Sequence, residues 1–167
     1  TRYRHDPDDP HSLSSDTVLS LYEDEAGILW VGTEAGLDRL DREQSRFAHY
    51  RREAGNPHSR SNDTVWSIVQ DREGQIWLGT HAGLNRFDTQ EAIESGTPRF
   101  TRYFHDPQDP GSLSHNRVWP LYEDRSGTIW VGTNGGLNKL ERGADGEWAS
   151  SFVRYLYDAH DPQSLGN

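Results

Sequence analysis

The chain has 167 residues and a formal charge of −10, with 27 carboxylates against 17 Lys and Arg and no cysteine. The acidic balance without any basic cluster excludes a phosphate-backbone partner, so nucleic acid is not expected, and the lack of cysteine excludes disulfides and thiolate metal sites. Leu, Ile, Val and Phe total 31 residues, a share that at this charge ordinarily means disorder, but six Trp and seven Tyr at recurring places argue for a folded protein with a modest aromatic core. No run approaches the roughly 20 apolar residues of a membrane span, so no membrane contact by this segment is expected. Methionine is absent even at position 1, which suggests that the chain was cut from something longer or processed.

From the N-terminus, TRYRH (1–5) reads as an outer strand whose own sheet is missing, and HDPDDPHSLSSD (5–16) as a Pro-fixed linker. Four short strands follow, TVLSLYED, ILWVGT, LDRL and RFAHYR, divided by turn residues. The first turn is Asp-x-x-Gly from Asp24 to Gly27, and the second runs from Thr33 to Gly36. The phrase GILWVGTEAGLDRL at 27–40 then returns as GQIWLGTHAGLNRF at 74–87 and GTIWVGTNGGLNKL at 127–140. Trp30, Trp77 and Trp130 are 47 and 53 residues apart, close to the length of a four-stranded propeller blade. Tyr3, Tyr50 and Tyr103 each precede the next of these tryptophans by 27 residues, and the length variation falls between each Trp and the following Phe47, Phe100 or Phe152. Only TQEAIES (89–95), inside that variable stretch, reads as helix.

Successive antiparallel sheets with an aromatic on the second strand pack face to face around an axis, so the expected class is all-β, a β-propeller. Residues 12–52, 59–105 and 112–158 form three complete blades, 1–5 an orphan outer strand and 159–167 the start of the next linker. Closed propellers typically use 4 to 8 blades, so three leave apolar faces uncovered. The expected partners are other blades of a larger propeller or further copies of the chain, two copies giving six blades and three giving nine.

Periodic Trp30, Trp77 and Trp130 are expected in the core rather than as sugar platforms, and Asp24, Asp71 and Asp124 as turn formers rather than an acid–base ring. Slots where the repeats disagree are free of architectural demand. One holds Leu19, Trp66 and Trp119, near the expected channel mouth, where the two tryptophans are suited to stacking on a sugar ring or packing on the adjacent blade. The other, in the second hairpin, holds Glu34, His81 and Asn134, polar tips that share the linker face and meet either a ligand or solvent. These six are the candidate ligand-binding residues. His5, Asp6, Asp8, Asp9 and His11 have ligand types for a cation, but two prolines interrupt them and a solvated linker is the better account. No catalytic residue, metal site or cofactor is expected, because no nucleophile elbow, zinc-binding helix motif or phosphate-cradling loop is present.

The thrice-written Asp-x-x-Gly-x-[Ile/Leu]-Trp-[Val/Leu]-Gly-Thr-x-x-Gly-Leu-[Asp/Asn]-[Arg/Lys] string resembles the two-component regulator propeller repeat. The linkers at 5–16 and 105–116 resemble that family's blade connection, whereas REAGNPHSRSND (52–63) departs from it. The resemblance implies the extracytoplasmic, periplasmic sensor region of a bacterial hybrid two-component kinase or membrane-bound cyclase. It implies a ligand-sensing segment that binds rather than catalyses, with an oligosaccharide as the ligand. The alternatives are a structural or protein-interaction propeller assembled from three-blade chains, and a propeller lyase or glycosidase with convergent acids across its channel.

Overall fold

A computed structural model of the chain describes residues 1–143, 146–149 and 151–166. The first sheet contains β1 (Val18–Glu23), β2 (Leu29–Thr33), β3 (Leu37–Asp41) and β4 (Arg46–Tyr50), paired antiparallel in chain order. The second contains β5 (Val65–Gln70), β6 (Gln75–Thr80), β7 (Gly83–Asp88) and β8 (Thr101–Tyr103), with the helix α1 (Thr89–Ser95) inserted before its outer strand. The third contains β9 (Val118–Glu123), β10 (Ile129–Thr133), β11 (Gly136–Leu140) and β12 (Val153–Tyr155). These are three propeller blades side by side in an open arc. The stretch 1–5 forms no strand: with no neighbouring ladder to accept its backbone, it is held instead by Tyr3, whose ring meets Phe47 edge-on at 5.3 Å. Of the expected 159–167 linker, Asn167 lies outside the described residues.

The repeated letters each have a physical task. Asp24 closes its turn by accepting the backbone N–H of Ile28 at 2.8 Å on one carboxylate oxygen, while the other accepts the indole N–H of Trp30 at 2.8 Å. Asp71 and Asp124 repeat this with Trp77 and Trp130. Donors from Ser126 and Trp130 hold the Asp124 carboxyl well below the usual carboxylate range. At the turn itself Gly27 has φ +79°, a region closed to most side chains. The Thr of Trp-x-Gly-Thr and the Asp or Asn of Gly-Leu-[Asp/Asn] clamp the preceding linker. Ser14 donates its N–H to Asp38 at 2.8 Å and shares a hydroxyl bond with Thr33 at 2.7 Å, as Ser61 does with Asn85 and Thr80, and Ser114 with Asn138 and Thr133.

Most burial lies between blades, beside a smaller cluster in which Leu13 of the linker packs on Val31 and Phe47 of the first sheet. One cluster joins Trp30, Leu37 and Tyr50 of the first sheet to Val65, Ile76, Leu78 and Phe87 of the second. The next joins Trp77 and Leu84 to Val118, Ile129, Val131 and Leu140. Where a neighbour is missing the same letters are open: Tyr155 is 41% exposed against 5% for Tyr50, and Val18 42% against 0% for Val65. β2 lies so close to the inner strand β5 of the next blade that a methyl on Gly32 would come within 2.8 Å of the Val65 carbonyl oxygen and 2.9 Å of its side chain, besides striking the Ser20 hydroxyl of its own sheet.

One buried residue breaks the pattern. Arg60 occupies the linker slot of Leu13 and Leu113 and is fully buried. Its Nη2 donates to the Tyr50 carbonyl and to Asp63, the latter at 3.2 Å, but Nε and Nη1 have no partner. Burial pushes its pKa down to about 10 against the upward pull of Asp63 and Asp38. Two predictions test this packing. Gly32→Ala forces the first two blades apart and lowers unfolding free energy by roughly 1–3 kcal/mol in urea titration, whereas a midpoint equal to wild type would show that the approach is loose. Arg60→Leu, restoring the residue of the sister linkers, removes an incompletely paired buried charge and raises stability by about 1–3 kcal/mol in the same measurement; a loss would mean that the Tyr50 and Asp63 bonds outweigh desolvation.

Candidate functional site

Antiparallel order puts the start of each inner strand, the tip of each second hairpin and the linker at one end of the blade. Hydrogen bonds fix this: the Glu34 N–H donates to the Thr17 carbonyl and the Asn134 N–H to that of Arg117, both at 3.3 Å, while the Gly83 N–H reaches the Asn116 carbonyl at 2.7 Å. Glu34, His81 and Asn134 are all exposed on this end.

The slot of Leu19, Trp66 and Trp119 is not a regular strand position. Pairing of each inner strand with its neighbour slips there, between Val18 and Ser20, between Val65 and Ser67, and between the Val118–Thr133 and Leu121–Val131 pairs. A bulge adds a residue without adding a partner and re-aims its side chain. Hence the three varying residues are carried by three bulges, which periodicity alone does not reveal.

The bulges bring two of the three together. Trp66 and Trp119 have ring centroids 4.6 Å apart with planes tilted by 40°. His81 meets Trp66 edge-on at 6.4 Å, and the Trp119 indole N–H donates to the Asn134 side-chain oxygen. Trp119 is 38% exposed, while Trp66 is half-buried and its indole N–H is buried without a partner. Four of the six candidate residues therefore form one aromatic and polar group across the joint between the second and third blades. Glu34 stands apart on the first hairpin, accepting the Ser15 hydroxyl at 3.2 Å, and connects to the second blade through its carbonyl, which accepts the Thr64 hydroxyl at 3.3 Å. Leu19 is half-buried at the matching bulge of the first blade. The grouping is able to stack a planar apolar ring face and exchange hydrogen bonds at its edge.

In the stretch His5 to His11, Asp6 and Asp9 accept backbone N–H groups of Asp8 and His11, and His5 Nδ1 contacts the Leu13 carbonyl at 2.7 Å. Among the described residues no group of three or more His, Cys, Asp or Glu is arranged to hold a metal, and no helix is long and apolar enough to cross a membrane. Sequence reasoning passes over a second location. A cavity of about 360 Å³ lies between the 52–63 linker and the segment after α1, lined by His49, Arg51, His58 and Arg99 among others. Its signal in the sequence is that this linker departs from its sisters.

The two component regulator propeller family model matches residues 12–35, 59–82 and 112–135. All six candidate residues fall inside those three windows. No curated protein matches the chain. Among solved structures it is similar to the extracellular domain of the hybrid two component system BT4673 from B. thetaiotaomicron, with a TM-score of 0.71 and 22% identity, covering 95% of this chain and 19% of that one. The extracellular domain of the hybrid two component system BT3049 from the same organism gives 0.67 and 23%, covering 92% and 19%. A streptogramin B lyase gives 0.58 and 18%, covering 87% and 42%. The chain thus spans 19% of the length of each of the two extracellular domains, and these likenesses are likenesses of fold.

Proposed function

Because the chain belongs to the two component regulator propeller family, with three of its repeats, we propose that it is a ligand-sensing segment of a bacterial signalling receptor, placed outside the cytoplasm in the periplasm. It binds rather than catalyses, and its ligand is an oligosaccharide. The observation that carries this reading is the Trp66–Trp119 pair, raised on two bulges and edged by His81 and Asn134. Pyranose rings present an apolar face bordered by hydroxyls, which such a pair matches with stacking below and donors and acceptors around it. Glu34 and Leu19 extend the same end toward the first blade. Signalling requires only that the ligand prefer one arrangement of blades or subunits over another. The likeness to extracellular domains of two component systems supports a sensing role through the shared fold. A lyase reading has a fold likeness of its own, but the six candidate residues include a single carboxylate, Glu34, which makes no convergent acid pair.

A panel of neutral oligosaccharides titrated against tryptophan fluorescence tests this. One or more glycans should quench saturably, and Trp119→Ala, which removes an exposed ring, should weaken binding by roughly three- to tenfold with the melting curve kept. A panel that leaves the fluorescence untouched defeats the oligosaccharide reading.

The assembly reading also has a specific observation in its favour, the open face of the third blade, where Tyr122, Val153 and Tyr155 are exposed and Trp130 is half-buried. We propose that blades of the same repeat cover it, from the remainder of a longer chain or from another copy. For the 167-residue chain alone, sedimentation equilibrium should show mass rising with concentration, and Tyr155→Glu should return it to monomer. A wild-type monomer at high micromolar concentration contradicts the proposal.

A further inference from the structure

The 360 Å³ cavity at the outer rim has two walls, and each is a place where the second repeat differs from the others. One wall is the linker REAGNPHSRSND. The first linker carries Asp6, Asp8, Asp9 and Asp16 and the third carries Asp106 and Asp109, whereas this one carries Glu53 and Asp63 together with Arg52 and Arg60, and has Asn56 at the place of Asp9. Its geometry is unchanged: Asn56 accepts the His58 N–H at 2.9 Å as Asp9 accepts that of His11, and Asp63 accepts the Arg52 N–H at 2.7 Å as Asp16 accepts that of His5. The substitutions therefore alter charge while leaving the loop in place. The other wall is Gly96–Phe100, which follows α1, the one helix among the described residues. Architecture demands neither wall.

What the two walls bring together is positive charge in a chain whose formal charge is −10. Arg51 and Arg99 line the cavity with His49 and His58. Arg99 Nη2 lies 3.0 Å from His58 Nε2, so a guanidinium faces an imidazole instead of a carboxylate. Among the described residues neither Arg51 nor Arg99 is paired with an acid, while Arg42, Arg60, Arg72 and Arg142 are. Of the nearby acids, Glu53 itself lines the cavity and Glu91 stands beside Arg99. Glu53 accepts from the Asn56 side chain at 2.7 Å, Asp38 is shared by Ser14 and His49, and Glu91 lies 3.5 Å from the Arg99 backbone N–H.

We infer that this cavity is a binding site for an oxyanion, a carboxylate or sulfate group borne by a small ligand, with Arg51 and Arg99 as its charged donors. Guanidinium forks match planar oxyanions with paired, charge-assisted bonds, and the volume suits a single sugar-sized ligand. The site is separate from the aromatic pair of the inner strands, so the two stand or fall independently.

The test is titration of the full chain with sodium glucuronate, sodium sulfate and glucose, at constant ionic strength, followed by amide and arginine side-chain NMR shifts. Glucuronate should shift Arg99 and His58 saturably and glucose should not. Sulfate shifting the same resonances identifies the oxyanion alone as sufficient, and glucuronate acting without sulfate assigns the carboxylate and its ring; each supports the site. Arg99→Gln, at an exposed position, should weaken binding about tenfold or more, and Arg51→Gln should do likewise, whereas Arg42→Gln should change nothing. The inference is overturned if no anion shifts these residues saturably, if Arg99→Gln and Arg51→Gln bind like wild type, or if Arg42→Gln weakens binding equally.

Discussion

The structure depends on one constraint: each sheet is apolar on both faces and stays dry mainly against another sheet. The three blades show this internally, since they carry nearly the same residues in different company. Trp30 and Trp77, each covered by a following blade, are fully buried, while Trp130, with none, is half-buried beside an exposed Tyr155. At the other end Leu21 is 63% exposed, whereas its counterpart Ile68 packs against the cluster between the first two blades. Burial here is a property of neighbours, and the hydrophobic term that drives folding is earned at the joints.

That constraint accounts for the letters that repeat. A Trp buried at a joint needs a partner for its indole N–H, because an unsatisfied buried donor costs about 1–3 kcal/mol. The Asp of the preceding turn supplies it in all three blades, serving the turn with its second oxygen. Close approach of a second strand to the inner strand of the next blade excludes a side chain at Gly32 and Gly79. The linker must return to start the next blade, and the Thr, Ser and Asp or Asn clamp holds it there. Repetition is thus scaffold, and whatever chemistry the protein has must be sought in positions that vary.

Much of this was legible in the sequence. The three returns of the Trp-Gly-Thr phrase specify blades, the strands lie within a residue or two of their turn-bounded stretches, and TQEAIES is a helix with Asp88 as its N-cap and Gly96 closing it. The common end for hairpin tips and linkers also follows from antiparallel order. What stayed hidden depends on three-dimensional register. A bulge leaves no mark on alternation over so few residues, so the contact of Trp66 with Trp119 could not be read from their shared slot. The Asp–Trp bond spans six positions across a turn and looks from the sequence like a turn residue and a core residue with separate roles. Arg60 was invisible as a buried charge because its place in a polar linker argues for exposure.

Both proposed sites sit at joints, and this bears on how a propeller segment could transmit occupancy. The aromatic pair draws one ring from the second blade and one from the third. The rim cavity is walled by the end of the first blade, the linker and the second blade. A ligand held by a single sheet would leave the relation between sheets unchanged, because each sheet is rigid and internally bonded. A ligand held by two sheets gains its full set of contacts only at one spacing and tilt, so its binding free energy differs between arrangements of the arc, which is the requirement for a signal. The joint is also where stability resides, so the same contacts that keep the blades folded set how far they can shift. On this reading sensing and folding draw on one surface, and the residues free to report a ligand are the few that the joint does not need for itself.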